Sequence, residues 1–157
     1  MISIIVAVDP NNVIGLKNDI PWKCKEDMKL FKERTTGSTV IMGRKTWESL
    51  PRRPLPNRLN VVLTSTGLYD EWRDILCYPS LELAIKEHKN AFIIGGEQVY
   101  KKALELDIVD RIIMTKIHKC YEGDRFFPKI SGWKTTEVEK YDEFDVLHLE
   151  KGFTYVG

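Results

Sequence analysis

Six short apolar runs, at residues 2–8, 39–42, 60–64, 75–78, 91–94 and 111–117, are rich in Val and Ile and bounded by Gly, Pro, Asn or charged residues. Near-continuous apolar runs of this length suit strands buried on both faces, as in parallel sheets. Helical patterns fall between them, at 25–35, 45–50, 81–87 and 97–105. Strands alternating with helices predict an α/β fold, with a mostly parallel central sheet and helices on both faces. The last third changes character. Residues 133–141 and 145–150 alternate polar and apolar positions, which predicts an antiparallel C-terminal hairpin closing one sheet edge. Residues 153–156 read equally as an extension of that hairpin or as a tail. No repeat or low-complexity linker divides the chain, so 1–157 is expected to form a single domain.

Composition narrows the function classes. The 157 residues are 43% hydrophobic and 30% charged, with a formal net charge of +1. This balance is ordinary for a soluble globular protein and gives no overall reason to expect nucleic acid or a membrane as partner. Cys24, Cys77 and Cys120 are widely spaced and odd in number, and the three histidines are scattered. That argues against a disulfide framework or a metal site and for a reducing compartment. The apolar N-terminus lacks a basic leader and stops at Asp9-Pro10, so it reads as a buried strand, with the cytoplasm as the expected location.

Chemistry should gather where the strands end, because ligands of open α/β sheets bind beyond the carboxyl ends of the strands. Residues 9–22 form a long polar connection of the kind that often serves as a lid. Ile94-Gly95-Gly96-Glu97 ends a strand and opens a helix. Its glycines suit either simple steric relief or close approach of a phosphate. Gly43-Arg44-Lys45-Thr46 does the same after the preceding apolar run, with Thr64-Ser65-Thr66 following the next. Together these suit an adenosine 2′-phosphate, hence NADPH, although a basic helix start can also be merely solvated. Asp27 falls in the first turn of its helix, beside Met28 and Phe31 on one face. It is either a helix-dipole partner or a carboxylate facing an amidine-like ligand edge. Arg52, Arg53 and Arg58 flank a proline-rich segment and are either solvated or poised to capture a carboxylate, with Lys32 assisting.

In order along the chain stand Val13-Ile14-Gly15, Ile20-Pro21-Trp22 with Asp27 five residues on, and the run Val40-Ile41-Met42-Gly43-Arg44-Lys45-Thr46-Trp47-Glu48-Ser49-Leu50. Pro54-Leu55-Pro56-Asn57-Arg58, Asn60-Val61-Val62-Leu63-Thr64, Ile93-Ile94-Gly95-Gly96 with Val99-Tyr100, and Glu122-Gly123-Asp124 before Phe127-Pro128 complete the set. The ordered set resembles the dihydrofolate reductase family, of the bacterial or phage type, from residue 2 to about residue 133. The resemblance implies NADPH-dependent reduction of dihydrofolate by a monomer, with antifolate inhibitors as further small-molecule ligands.

The roles it implies are these. Asp27 binds the pterin ring and promotes protonation of substrate N5, Thr115 hydrogen-bonds that carboxylate, and Trp22 orients a water. Ile5, Ala7, Met28, Phe31, Leu50, Leu55 and Ile94 line the substrate pocket. Arg58 clamps the substrate's carboxylate tail, with Lys32 and Arg52 nearby. Gly43, Arg44, Lys45, Thr46, Leu63, Thr64 and Ser65 hold the adenosine end of NADPH. Gly95, Gly96, Glu97, Gln98 and Val99 cradle the pyrophosphate, joined at Gly95-Gly96 by a cis peptide. Ala7, Ile14, Gly15, Asn18, Ile20, Ile94 and Tyr100 enclose the nicotinamide. Three features depart from the family's pattern. Glu97-Gln98 replaces a small or basic pair, Ile20 replaces a lid methionine, and Cys24-Lys25 replaces a more apolar helix start. Two rival readings share parts of this pattern: a ribosylaminopyrimidine reductase and a folate-binding protein without catalysis. Cofactor oxidation with dihydrofolate separates them.

Overall fold

The computed structural model describes residues 1–65 and 75–152. Thr66 and residues 153–156 lie outside these. Among the described residues, ten strands and four helices follow in the order β1 (Ile2–Val8), β2 (Val13–Gly15), α1 (Lys25–Thr35), β3 (Thr39–Gly43), α2 (Arg44–Ser49), β4 (Leu59–Leu63), β5 (Ile75–Tyr78), α3 (Leu81–Glu87), β6 (Ala91–Gly95), α4 (Glu97–Glu105), β7 (Arg111–Ile117), β8 (Arg125–Phe126), β9 (Trp133–Lys140) and β10 (Phe144–Lys151). Eight of the strands make one sheet in the order β5-β4-β3-β6-β1-β7-β10-β9. The first six run parallel, and β10 and β9 are antiparallel additions at the edge.

The apolar runs become parallel strands because both of their faces are covered. On β1, Ile4, Val6 and Val8 join a cluster with Leu81 and Ala84 of α3 and Tyr100 and Ala103 of α4. The alternate residues Ile5 and Ala7 face a second cluster with Trp22, Phe31, Phe144 and Val146. A third cluster seats Trp47 of α2 on Val40, Met42 and Val62. Two faces therefore carry two helices each, as the sequence predicts. The element ends move by a residue or so: Thr64 lies just past β4, and α2 starts at Arg44 and ends at Ser49.

The 9–22 connection holds structure that its polar composition conceals. Its strand β2 pairs with β8, with Val13 opposite Phe126 and Gly15 opposite Arg125. Asp124 fastens one end of this ribbon: its N–H donates to Gly15 O at 2.9 Å, and its carboxylate accepts from Lys17 N at 3.1 Å. Gly123 lies so close that a Cβ there would come within 2.1 Å of Val13 Cγ1 and 2.9 Å of Gly15 O. Buried Asp9 fixes the root of the connection, accepting N–H bonds from Asn11, Val13 and Tyr121 at 2.8–2.9 Å.

Helix α1 turns toward the sheet a stripe different from the one its apolar residues suggest. Asp27, Leu30, Phe31, Arg34 and Thr35 are its half-buried or buried positions, spaced three, four and seven apart, whereas Met28 is 59% exposed. A stripe so rich in polar groups is stable inward because each group finds a partner on the sheet. Arg34 Nη2 donates to both carboxylate oxygens of Glu139 of β9, at 2.8 and 3.0 Å. Burial pushes the Glu139 carboxyl up, but hydrogen bonds from His148, Arg34 and Tyr141 outweigh it and bring it down to about 2. A depressed carboxyl lends stability that is complete above its unfolded value, about 4.5, and is lost as pH falls toward about 2. Glu139→Gln is accordingly expected to lower the melting temperature at neutral pH and to shrink its fall between about pH 4.5 and 2. A melting series against pH that stays parallel to the unmodified chain would refute this.

Candidate active site

Beyond the carboxyl ends of β1, β3, β6 and β7 lie the segments that the sequence singled out. Asp27 enters from α1, and its Oδ1 accepts a 2.9 Å hydrogen bond from Thr115 Oγ1 near the end of β7. Burial raises the Asp27 carboxyl above the usual range, only partly offset by the Thr115 hydrogen bond and the charge of Arg34. A carboxyl so placed holds a proton more readily than an exposed aspartate, as a group that assists protonation should. Trp22 is buried in the sheet's second cluster, its ring 5.4 Å from that of Tyr121. Ile5 and Ala7 of β1 and Phe31 of α1 belong to the same cluster.

Toward α2, Leu50, Leu55 and Ile94 are half-buried around the third cluster. Between that wall and α1 stands Arg58. Its Nε donates to Pro56 O at 2.9 Å and its Nη1 to the buried Thr35 Oγ1 at 3.1 Å, with the guanidinium carbon 5.9 Å from the Phe31 ring centre. Thr35 in turn donates to Phe31 O at 2.7 Å. Among the described residues this occupies two of the five guanidinium N–H donors. Burial lowers the Arg58 pKa, yet arginine stays charged across the working range of proteins. Lys32 and Arg52 are exposed, as are Met28 and Ile20.

The second half of the site is a backbone cradle. The β3 and β6 ends meet where Met42 pairs with Gly95, one residue out of step with Ile41 and Ile93. The Gly95–Gly96 peptide is cis, as is Arg53–Pro54. A Cβ on either Gly95 or Gly96 would come within 3.2 Å of Thr46 Oγ1, and one on Gly43 within 3.1 Å of Val99 Cγ2. Gly96 is the N-cap of α4 and makes no side-chain cap, so the first-turn N–H groups of that helix suit an anion. Tyr100, fully buried one turn on, donates to Ile5 O at 3.0 Å and ties this helix to β1. Gly43, Thr46, Gly95, Gly96, Val99 and Tyr100 are thus brought together, with Leu63 opposite Gly43 on β4. This cradle fits a dinucleotide's phosphates. Ile14 packs on the first cluster, while Asn18, Lys45, Ser65 and Gln98 are exposed.

Gly95 has φ +140°, a conformation open in practice to glycine alone. With Thr46 against it, Gly95→Ala is expected to cost at least about 1 kcal/mol of stability. A thermal melt that does not move would count against the tightness of the cradle.

Two side chains that the resemblance assigns to the cofactor also have partners within the protein. Arg44 Nε forms an exposed ion pair with Glu48 at 2.8 Å, one helical turn away. Glu97 Oε2 accepts from Phe126 N at 2.6 Å, so the acid that departs from the family pattern joins α4 to the β2–β8 ribbon. Sequence reasoning missed Asp9, whose Asp-Pro-Asn setting is an Asx-turn signal. It also missed Arg34, Thr35 and Glu139, whose partners are too remote in sequence to signal.

A family model described as dihydrofolate reductase matches residues 1–154. The dihydrofolate reductase of Bacillus subtilis is 43% identical over 145 residues, covering 89% of this chain and 84% of that one. The dihydrofolate reductase of Aedes albopictus is 37% identical, covering 98% and 92%. Among solved structures, the dihydrofolate reductase from Enterococcus faecalis complexed with NADP(H) and RAB-propyl superposes with a TM-score of 0.85 at 32% identity, covering 96% of both chains.

Proposed function

The chain belongs to the dihydrofolate reductase family and is an NADPH-dependent oxidoreductase that reduces 7,8-dihydrofolate to 5,6,7,8-tetrahydrofolate, and we propose that Asp27 is the acid–base residue of that reaction. The observation that carries this is a half-buried carboxylate, raised in pKa, held by Thr115 at the carboxyl end of the sheet.

When bound, NADPH supplies the hydride that reaches substrate C6. Its phosphates would lie against Gly43, Thr46, Gly95, Gly96 and the first turn of α4, with Arg44, Lys45, Thr64 and Ser65 at the adenosine end. Ile14, Gly15, Asn18, Ile20, Ala7 and Tyr100 would enclose the nicotinamide. The protein's own residues have two tasks. The first is placement: Ile5, Phe31, Leu50, Leu55 and Ile94 shape an apolar slot for the pterin and its aromatic linker, and Met28, exposed on α1, would border it. Asp27 accepts the paired N–H donors at the pterin's amidine edge, and Arg58 holds the tail carboxylate. The second is protonation. The substrate imine accepts hydride poorly until N5 carries a proton, and Asp27, with Trp22 orienting a water, promotes that step. Segment 15–20 excludes bulk water when it closes.

The enzyme is proposed to work as a cytoplasmic monomer; among the described residues no helix is long and apolar enough to cross a membrane. NADPH oxidation by the purified chain with dihydrofolate tests the assignment. Rapid oxidation, much slower with NADH, is expected. Binding of dihydrofolate without oxidation would overturn it.

A further inference from the structure

We propose that Glu139, acting through Arg34, is a positioning residue for Asp27: the Arg34–Glu139 pair is the second of two anchors that fix α1 on one rung of the sheet.

The rung is defined by pairing. Thr115 of β7 stands opposite Val146 of β10, and Val146 stands opposite Glu139 of β9. Residues directly opposite in antiparallel strands project from the same face, so Thr115, Val146 and Glu139 form one row beneath α1. The helix touches both ends of that row. Asp27 meets Thr115 at 2.9 Å, and Arg34 meets Glu139 at 2.8 and 3.0 Å. Between them Val146 is buried with 1% exposure, in the cluster that includes Leu30 and Phe31 of α1.

The dimensions agree. Seven helical residues advance about 10.5 Å and return to nearly the same face, while two strand spacings cover about 9.6 Å. A helix held only at Asp27 could roll or slide on an apolar bed, because hydrophobic contact is non-directional. A second, charge-assisted contact seven residues on, from one guanidinium nitrogen to both carboxylate oxygens, opposes that freedom.

Glu139 is itself held. Tyr141 Oη donates to its Oε1 at 2.9 Å, and His148 Nε2 lies 2.6 Å from its Oε2. The Tyr141 ring stacks 4.7 Å from that of Phe144, which is fully buried. Three groups thus converge on one carboxylate whose single partner on α1 is Arg34, among the described residues. That is more fixing than an edge-strand ion pair needs for solubility, and it is directed at the helix that carries the acid.

The pair also tunes charge. The titratable and charged groups around it are Asp27, Glu26 and Arg34 of α1, Cys24 and Glu143 at the helix entry, Glu139 of β9, Tyr141, and His148 of β10. Arg34 favours the Asp27 carboxylate, and Glu139 partly cancels Arg34. Removing the two partners therefore has opposite electrostatic signs. Arg34→Met takes away the cation and lets the Asp27 pKa rise. Glu139→Gln leaves the guanidinium uncompensated and lets it fall. Loosening of the helix alone predicts no such opposition.

The proposal rests on Asp27 as the acid–base residue, so Asp27→Asn is assayed beside Arg34→Met, Glu139→Gln and their double variant. The readouts are kcat, KM for both substrates and the pH profile of turnover, with melting curves to verify folding. Each single change is expected to lower kcat by roughly threefold to thirtyfold, as small misplacements of a reacting group do, with KM for NADPH unchanged. The double variant should be no slower than the slower single, because the two act as one unit. The apparent pKa of the profile should move up in Arg34→Met and down in Glu139→Gln. Should Arg34→Met not fold, Arg34→Lys keeps the charge on a shorter side chain that does not reach the Nη2 position, and is expected to lower kcat without raising the pKa. Additive losses, shifts in one direction, or kcat values equal to the unmodified enzyme would overturn the proposal. If Asp27→Asn itself is fully active, the failure belongs to the Asp27 reading instead.

Discussion

Asp27→Asn is expected to slow turnover at neutral pH by roughly 10²–10⁴-fold, the usual reach of a positioned acid–base group, while making the protein more stable. Both effects have one origin. The carboxyl is half-buried, and desolvation raises its pKa, with Thr115 and Arg34 recovering only part of the cost. A carboxyl whose folded pKa lies above its unfolded value favours the folded state most below the unfolded value, 3.8, and that advantage is lost as pH rises through the folded one. At neutral pH the ionised group is therefore a burden that asparagine, nearly the same size, does not impose. Asparagine can still accept the Thr115 hydrogen bond. The melting temperature of Asp27→Asn should exceed that of the parent at pH 7, and the gap should close in acid. The catalytic deficit should also narrow in acid, where solvent protonates the substrate directly. Turnover unchanged at neutral pH would refute the role of Asp27, and an unchanged melting temperature would refute the origin assigned to its pKa.

Arg58→Ala is expected to act on binding instead. The guanidinium is already aimed by Pro56 O, Thr35 Oγ1 and the Phe31 ring, so little side-chain freedom is left to lose when a carboxylate arrives. A charged hydrogen bond contributes roughly 1.5–3 kcal/mol, which is on the order of tenfold to a hundredfold or more in Kd. The loss should appear in Kd for dihydrofolate, with kcat at saturation much less affected and with pterins that lack the tail bound as before. Equal weakening of tailless pterins would remove Arg58 from the clamp and leave it a structural role beside Thr35.

What the sequence could show of this protein depended on how local each signal was. The parallel core was legible because burial on both faces writes a near-continuous apolar run, as at Ile2–Val8. The hairpin of β9 and β10 was legible from alternation. The β2–β8 ribbon was not, since strands of three and two residues carry no period and their pairing joins residues more than a hundred apart. Helix α1 was placed correctly in the chain but rotated wrongly. Its apolar residues suggested a face through Met28, whereas Arg34 and Thr35 turn inward to partners 105 and 23 residues distant. The cradle glycines could be noticed but not explained, because Thr46, which crowds Gly95, belongs to another crossover. Asp27 drew notice as an acid beside apolar residues, and its role came from the ordered motifs around it. Its anchoring needed the sheet.

The missing side chain at Gly123 has a consequence for anyone rebuilding this enzyme. With Val13 sitting where a Cβ would be, the lid and the loop that backs it are a matched pair, lock cut to key. A lid transplanted from another member would have to travel with its own backing loop, and a library that randomises one segment alone would spend most of its diversity on chains that cannot close the seam.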